Sequence, residues 1–114
     1  MHTSQLPTVT VDELADNAVL LDVREDGEWQ AGHIRGAVHV PMNEVPNRLA
    51  YAPGSITPDT RVVVVCKVGS RSAHVAAWLI HNGYDAANLD GGMLAWAAAR
   101  RPMISEGDDA PYVA

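Results

Sequence analysis

The residues with the clearest chemical potential are Cys66 and Lys67, the only cysteine and the only lysine of the chain, adjacent where a run of valines ends. The stretch reads Arg61-Val62-Val63-Val64-Val65-Cys66-Lys67-Val68-Gly69-Ser70-Arg71-Ser72, an apolar strand pattern passing through a short turn into a helical one. A thiol at such a junction faces the unpaired N–H groups and the positive dipole end of the following helix, and both favour thiolate over thiol. Gly69 can take the backbone angles that curl the loop's N–H groups inward as an anion-binding nest. Lys67 and Arg71 add positive charge, while Ser70 and Ser72 supply hydroxyls and a helix start. The candidate site is therefore Cys66 as nucleophile with Lys67, Val68, Gly69, Ser70 and Arg71 as the binding loop. Its chemistry would be covalent catalysis by a thiolate, tempered by the weaker nucleophilicity that accompanies a very low pKa.

The elements that must position this loop follow from the hydrophobic pattern. Val62 to Cys66 is a near-continuous apolar run, as expected of a central parallel strand covered on both faces. Ser70 to Asn82 reads as a helix with Ala73, Ala76, Ala77 and Ile80 on one stripe and Asn82-Gly83 as its end. Upstream, Thr10 and Glu13 have the form of a capping box that starts a short helix ending near Asn17. Val19 to Val23 is a buried strand. Glu25 to Ala31 is a short helix carrying Trp29, stopped by Gly32 through its tolerance of left-handed angles. Ala37 to Val40 is a further strand, and Asn43 to Tyr51 a helix with Pro46 in its first turn. Ala86 to Leu89 is a last strand, Asp90-Gly91-Gly92 a turn, and Met93 to Arg100 a closing helix with Trp96 facing inward. Alternating strands and helices predict an α/β fold with a mostly parallel central sheet and helices on both faces. In such sheets ligands bind outside the carboxyl ends of the strands, where Cys66 lies.

Composition bounds the rest. The 114 residues, 47 % of them hydrophobic, suffice for one domain with its own core. We place that domain at 5–101, followed by a polar, acidic tail over 102–114 that is expected to be loose. A formal charge of −6 argues against nucleic acid or an anionic membrane as partner. One cysteine cannot form an internal disulfide, which suits a reducing cytoplasm. Met1 to Pro7 lacks the features of a secretory leader, and no apolar run approaches the roughly 20 residues of a membrane helix.

On four segments the chain resembles a single-domain rhodanese, over about Thr10 to Arg100. They are Leu21-Asp22-Val23-Arg24-Glu25, Gly32-His33-Ile34-Arg35-Gly36-Ala37, the loop Cys66 to Ser72, and Leu89-Asp90-Gly91-Gly92 followed by Trp96. The resemblance implies the three-layer rhodanese fold and a thiosulfate sulfurtransferase activity. Sulfane sulfur would pass from a small anionic donor such as thiosulfate to Cys66 as a persulfide, then to cyanide, a thiol or a protein acceptor, with no metal or organic cofactor. Alternatives are a persulfide relay module serving a protein donor, and a phosphatase or arsenate reductase of the same fold. Tyrosine phosphatases use a longer loop between cysteine and arginine, usually with a histidine before the cysteine, where this chain has Val65. Asp26-Gly27 departs from the commonest family pattern and leaves the first short helix open.

Other chemically capable residues read more simply as structure. Asp22 and Arg24 look like a core ion pair, His33 a turn-fixing side chain, and Asp90 part of its turn. His74 follows Ser70 by about one helical turn and reads as solvated or helix-packing. His39 and His81 lack metal-ligand spacing, and Trp29, Trp78 and Trp96 read as packing.

Overall fold

Among the described residues five strands form one sheet, every pair parallel, because each is connected to the next through a helix or long turn that returns the chain to the same end of the sheet. The computed structural model describes residues 6–114, so the expectation resting on Met1 to Gln5 lies outside the described residues. In chain order the strands are β1 (Thr8–Val9), β2 (Val19–Asp22), β3 (Val38–His39), β4 (Val62–Val65) and β5 (Ala86–Leu89), arranged β1-β5-β4-β2-β3. The helices are α1 (Asp26–Ala31), α2 (Val45–Tyr51), α3 (Ser70–His81) and α4 (Gly92–Ala98), with a 3-10 turn at Met42–Glu44. None is long and apolar enough to cross a membrane.

The two-residue period of the strands divides the core. Leu21, Val23, Val62, Val64, Cys66 and Ala86 face α2 and α3, where Val45, Val75, Ala76 and Leu79 meet them. Leu20, Val63, Val65 and Leu89 face the other way, onto Met93 and Trp96 of α4. All four residues of β4 are buried, as a central strand requires. This is the expected α/β architecture with helices on both faces.

Four local expectations are corrected. Thr10 and Glu13 do form the reciprocal capping bonds, at 2.9 and 3.2 Å, but only turns follow. So short a stretch is marginal as a helix, and the preceding residues are drawn instead into β1, whose Val9 carbonyl accepts from Asp90 N–H at 2.8 Å. Gly32 ends α1 with φ of 176°, which is extended backbone. A glycine is needed there because a Cβ would collide with the main chain of Tyr112. The buried stripe of α3 is Ser72, Val75, Ala76 and Leu79, with Ala77 and Ile80 exposed. Choosing between adjacent stripes falls to the larger apolar side chains, which bury more area than alanines. Finally, the acidic tail is docked: Ile104 and His33 exchange hydrogen bonds of 2.8 and 2.9 Å, Glu106 N–H donates to Gln30, and Tyr112 N–H to Ala31. The apolar members Met103 and Val113 pack on the α4 side of the core. Trp78 is also partly exposed, unlike Trp96.

Candidate functional site

Cys66 follows the last residue of β4, and its side chain is fully buried. The loop after it turns through Gly69, whose φ of +111° is open to glycine and strained for other residues. That turn brings Gly69 N–H to 3.1 Å from Cys66 Sγ, and the Ser72 hydroxyl donates to the same sulfur at 3.2 Å. Burial pushes the thiol pKa up, but the hydrogen bonds of the Ser72 hydroxyl and of the Ser72, Gly69 and Val68 N–H groups outweigh it, so the net shift is downward. These donors favour the charged sulfur by hydrogen bonding.

The loop's carbonyls are held on the opposite side. Met93 N–H donates to Cys66 O at 2.8 Å and Leu94 N–H to Lys67 O at 3.1 Å. These N–H groups of α4's first turn have no acceptor inside their own helix. The approach is close enough that a Cβ on Gly92 would overlap both carbonyl oxygens. Across a trans peptide the held Lys67 carbonyl turns the Val68 N–H the opposite way, toward the sulfur.

Arg71 is turned toward α1, where its guanidinium grips Glu28 with two bonds of 2.7 and 2.9 Å. This fork holds the Glu28 carboxyl down at about 2, and the same contact raises the Arg71 pKa. Glu28 has a second task, since its carboxylate also accepts Glu25 N–H at 3.0 Å in the capping box of α1. One side chain thus starts α1 and anchors the loop. The capping box also settles the short helix that Asp26-Gly27 left open.

Beneath the site, Arg24 and Asp22 are both buried and joined at 2.8 Å, and Arg24 Nη2 also donates to Gly32 O at 2.9 Å. Trp29 is stacked between His33 and His39, with centroids at 3.5 and 4.6 Å. His33 Nδ1–H donates to Trp29 O, and His39 Nε2–H to Arg24 O, both at 2.8 Å. These residues brace α1, as their structural reading anticipated. His74 is exposed on α3.

Of the candidate loop residues, Gly69 and Val68 present N–H groups to the sulfur, while the Val68 side chain is 52 % exposed. Lys67 is half-buried and Ser70 exposed at the start of α3. Arg71 is committed to Glu28. Ser72, whose hydroxyl the sequence offered beside that of Ser70, was left out of the binding loop, and the Glu28 anchor and the α4 clamp were absent from the sequence-derived site, although Glu25-x-x-Glu28 and the Gly91-Gly92 pair carried their signal.

Comparison with known proteins now bears on this geometry. The model for the rhodanese-like domain matches residues 7–99. A sulfurtransferase from Allochromatium vinosum is 34 % identical over 91 residues, covering 79 % of this chain and 81 % of its own. The thiosulfate sulfurtransferase GlpE of Pseudomonas fluorescens is 35 % identical over 92 residues, covering 80 % and 81 %. Among solved structures, a rhodanese-like domain protein from Staphylococcus aureus superposes with a TM-score of 0.73 at 33 % identity, covering 94 % of this chain and 100 % of that one. Sequence, fold and relatives support sulfur transfer of the rhodanese type, and the chain belongs to the rhodanese-like domain family.

Proposed function

We propose that this protein is a sulfurtransferase that carries a sulfane sulfur on Cys66, taken from thiosulfate or a similar small anionic donor. The observation that carries the reading is the pair of donors, Gly69 N–H and Ser72 Oγ–H, held at 3.1 and 3.2 Å from a sulfur at the carboxyl edge of the sheet. In the first half-reaction the Cys66 thiolate attacks the outer sulfur of thiosulfate. A cysteine–sulfur bond forms, the donor's sulfur–sulfur bond breaks, and sulfite leaves with the electron pair. In the second, cyanide or a thiolate attacks the terminal sulfur and Cys66 departs as thiolate. Charge and electrons balance without an added oxidant or cofactor, and ping-pong kinetics follow.

The first turn of α3 supports the intermediate as well as the resting sulfur. Ser70 and Arg71 N–H groups have no acceptor within the helix, so a terminal persulfide sulfur beyond Sγ meets further donors of the same ring. Lys67 is assigned to the donor's sulfonate end. Arg71 adds field at the thiolate, but its side chain is held by Glu28, so its role is to fix the loop. With no second cysteine in the sequence, sulfur leaves to an external thiol, cyanide or protein. We assign this chemistry to residues 5–101 and to a reducing, cytoplasmic setting.

Incubation with thiosulfate is expected to add the mass of one sulfur atom to the intact protein. Cys66→Ser is expected to lose both that adduct and thiocyanate formation from cyanide. Lys67→Ala is expected to raise the donor KM with little effect on acceptor attack. A folded protein that gains no sulfur from thiosulfate overturns the donor assignment.

A further inference from the structure

Asn88 is a polar residue in a strand that is otherwise apolar and buried. Its neighbours Ala86, Ala87 and Leu89 are buried, and β5 is flanked by strands on both sides. The alternation of β5 places Asn88 on the face of Ala86, toward α3. There its Nδ2 donates to Gly69 O at 3.1 Å, while its Oδ1 is buried with no hydrogen-bond partner. A carboxamide half satisfied in the core is unfavourable for folding, and an apolar side chain of similar shape would avoid that. The strand does not require it, because the Asn88 backbone pairs independently, its N–H donating to Pro7 O at 2.9 Å.

We propose that Asn88 is a positioning residue for the sulfur-carrying loop, acting through the carbonyl of Gly69. Gly69 is the pivot of that loop. Its N–H reaches Cys66 Sγ, and its carbonyl receives both Asn88 and Ala73 N–H, the latter at 3.1 Å. Fixing this carbonyl also fixes the Ser70 N–H, which points the opposite way across a trans peptide. The side chain of β5 thereby sets the direction of the Ser70 N–H and tethers the residue whose own N–H reaches the sulfur, without touching the sulfur itself. Removing it leaves Gly69 O still bonded to Ala73, so no new orphan is created and the fold need not suffer.

The inference rests on Cys66 being the reacting group, and its test is independent of the donor. The rate of Cys66 alkylation by iodoacetamide is measured against pH in the wild type, Asn88→Leu and Asn88→Ala, beside thermal unfolding. The charged neighbours are Lys67 and Arg71, with Glu28 balancing Arg71; all are retained in the variants. The expected result is an unfolding temperature at or near that of the wild type, with the alkylation midpoint moved up by about half a unit to one unit, a loss of about 3–10-fold in thiolate at pH values below the midpoint. An unmoved midpoint in either folded variant overturns the proposal. The wild type gives a second reading that needs no variant: the Asn88 side-chain amide resonances should move as Cys66 is titrated, and invariant resonances also overturn it. Sulfur loading from thiosulfate is scored separately. If loading fails while the midpoint shifts, the donor assignment falls and the positioning role stands. If loading succeeds with an unmoved midpoint, the positioning role alone falls.

Discussion

The turn from β4 into α3 and the turn from β5 into α4 both enter their helix through a glycine of positive φ, +111° at Gly69 and +75° at Gly91. Their free N–H groups then go to different partners. In the first turn they converge on Cys66 Sγ. In the second they bind the carbonyls of Cys66 and Lys67. The glycines differ in the same way. A Cβ at Gly69 would meet nothing closer than 3.7 Å, so Gly69 is required by its backbone angle alone. Gly92, one residue into the second turn, also has a positive φ, +54°, and is required by contact as well, since any side chain would displace the loop it clamps. One helix start supplies the charge environment of the thiol, and its neighbour holds that arrangement in place.

The largest expected effect comes from breaking the clamp. Gly92→Ala forces a methyl group into two backbone oxygens, which should cost about 3 kcal/mol or more and lower the unfolding temperature by about 10 °C or more. Differential scanning calorimetry checks this, and a near-normal transition would mean that α4 can retreat without penalty. Next is Ser72→Ala, which deletes the hydroxyl bonded to the sulfur at 3.2 Å. Alanine is a good helix former, so unfolding should change by less than about 1 kcal/mol while the thiolate fraction at pH values below the midpoint falls about 3–10-fold. Titration of the thiolate by its ultraviolet absorbance is the measurement, and an unchanged curve would assign the whole shift to backbone donors.

The smallest effect concerns the Glu28–Arg71 anchor. Glu28 is lowered from its usual 4.5 to about 2 by the Arg71 fork, so the folded state binds its proton less readily than the unfolded chain. Its contribution is therefore complete above the unfolded pKa and is lost as pH falls toward the folded one. Glu28→Gln should reduce stability by about 0.5 kcal/mol near neutral pH for this partly exposed pair. The gap between variant and wild type should close as the pH is lowered from about 5 toward 2. Urea unfolding across that range provides the check. A gap independent of pH would show that the ion pair contributes nothing through its charge.

The strand that carries Cys66 was legible because four consecutive valines admit few readings, and the helix after it because Gly69 and Ser70 punctuate its start. The capping box at Thr10 was equally legible and led to the wrong element: its bonds form, but local bonds cannot sustain a helix when neighbouring residues pair better with β5. The stripe of α3 was misplaced by one residue for a related reason, since adjacent helical faces carry similar patterns and only the sheet decides which is covered. The tail read as loose because its composition is polar, yet a few apolar residues and main-chain bonds to Gln30, Ala31 and His33 suffice to dock it.

By itself the sequence determined that a lone thiol ends a buried parallel strand and opens into a glycine-bearing helix start, because those facts depend on residues adjacent in the chain. Only the tertiary structure decided what controls that thiol. Ser72 is selected from two nearby serines by helix rotation, and Glu28 takes Arg71 across 43 positions. Asn88 reaches Gly69 from another strand, and α4 closes the back of the loop. Hydrogen bonds act over about 3 Å, so partners distant in sequence become partners only once the sheet has brought the carboxyl ends of β4 and β5 together.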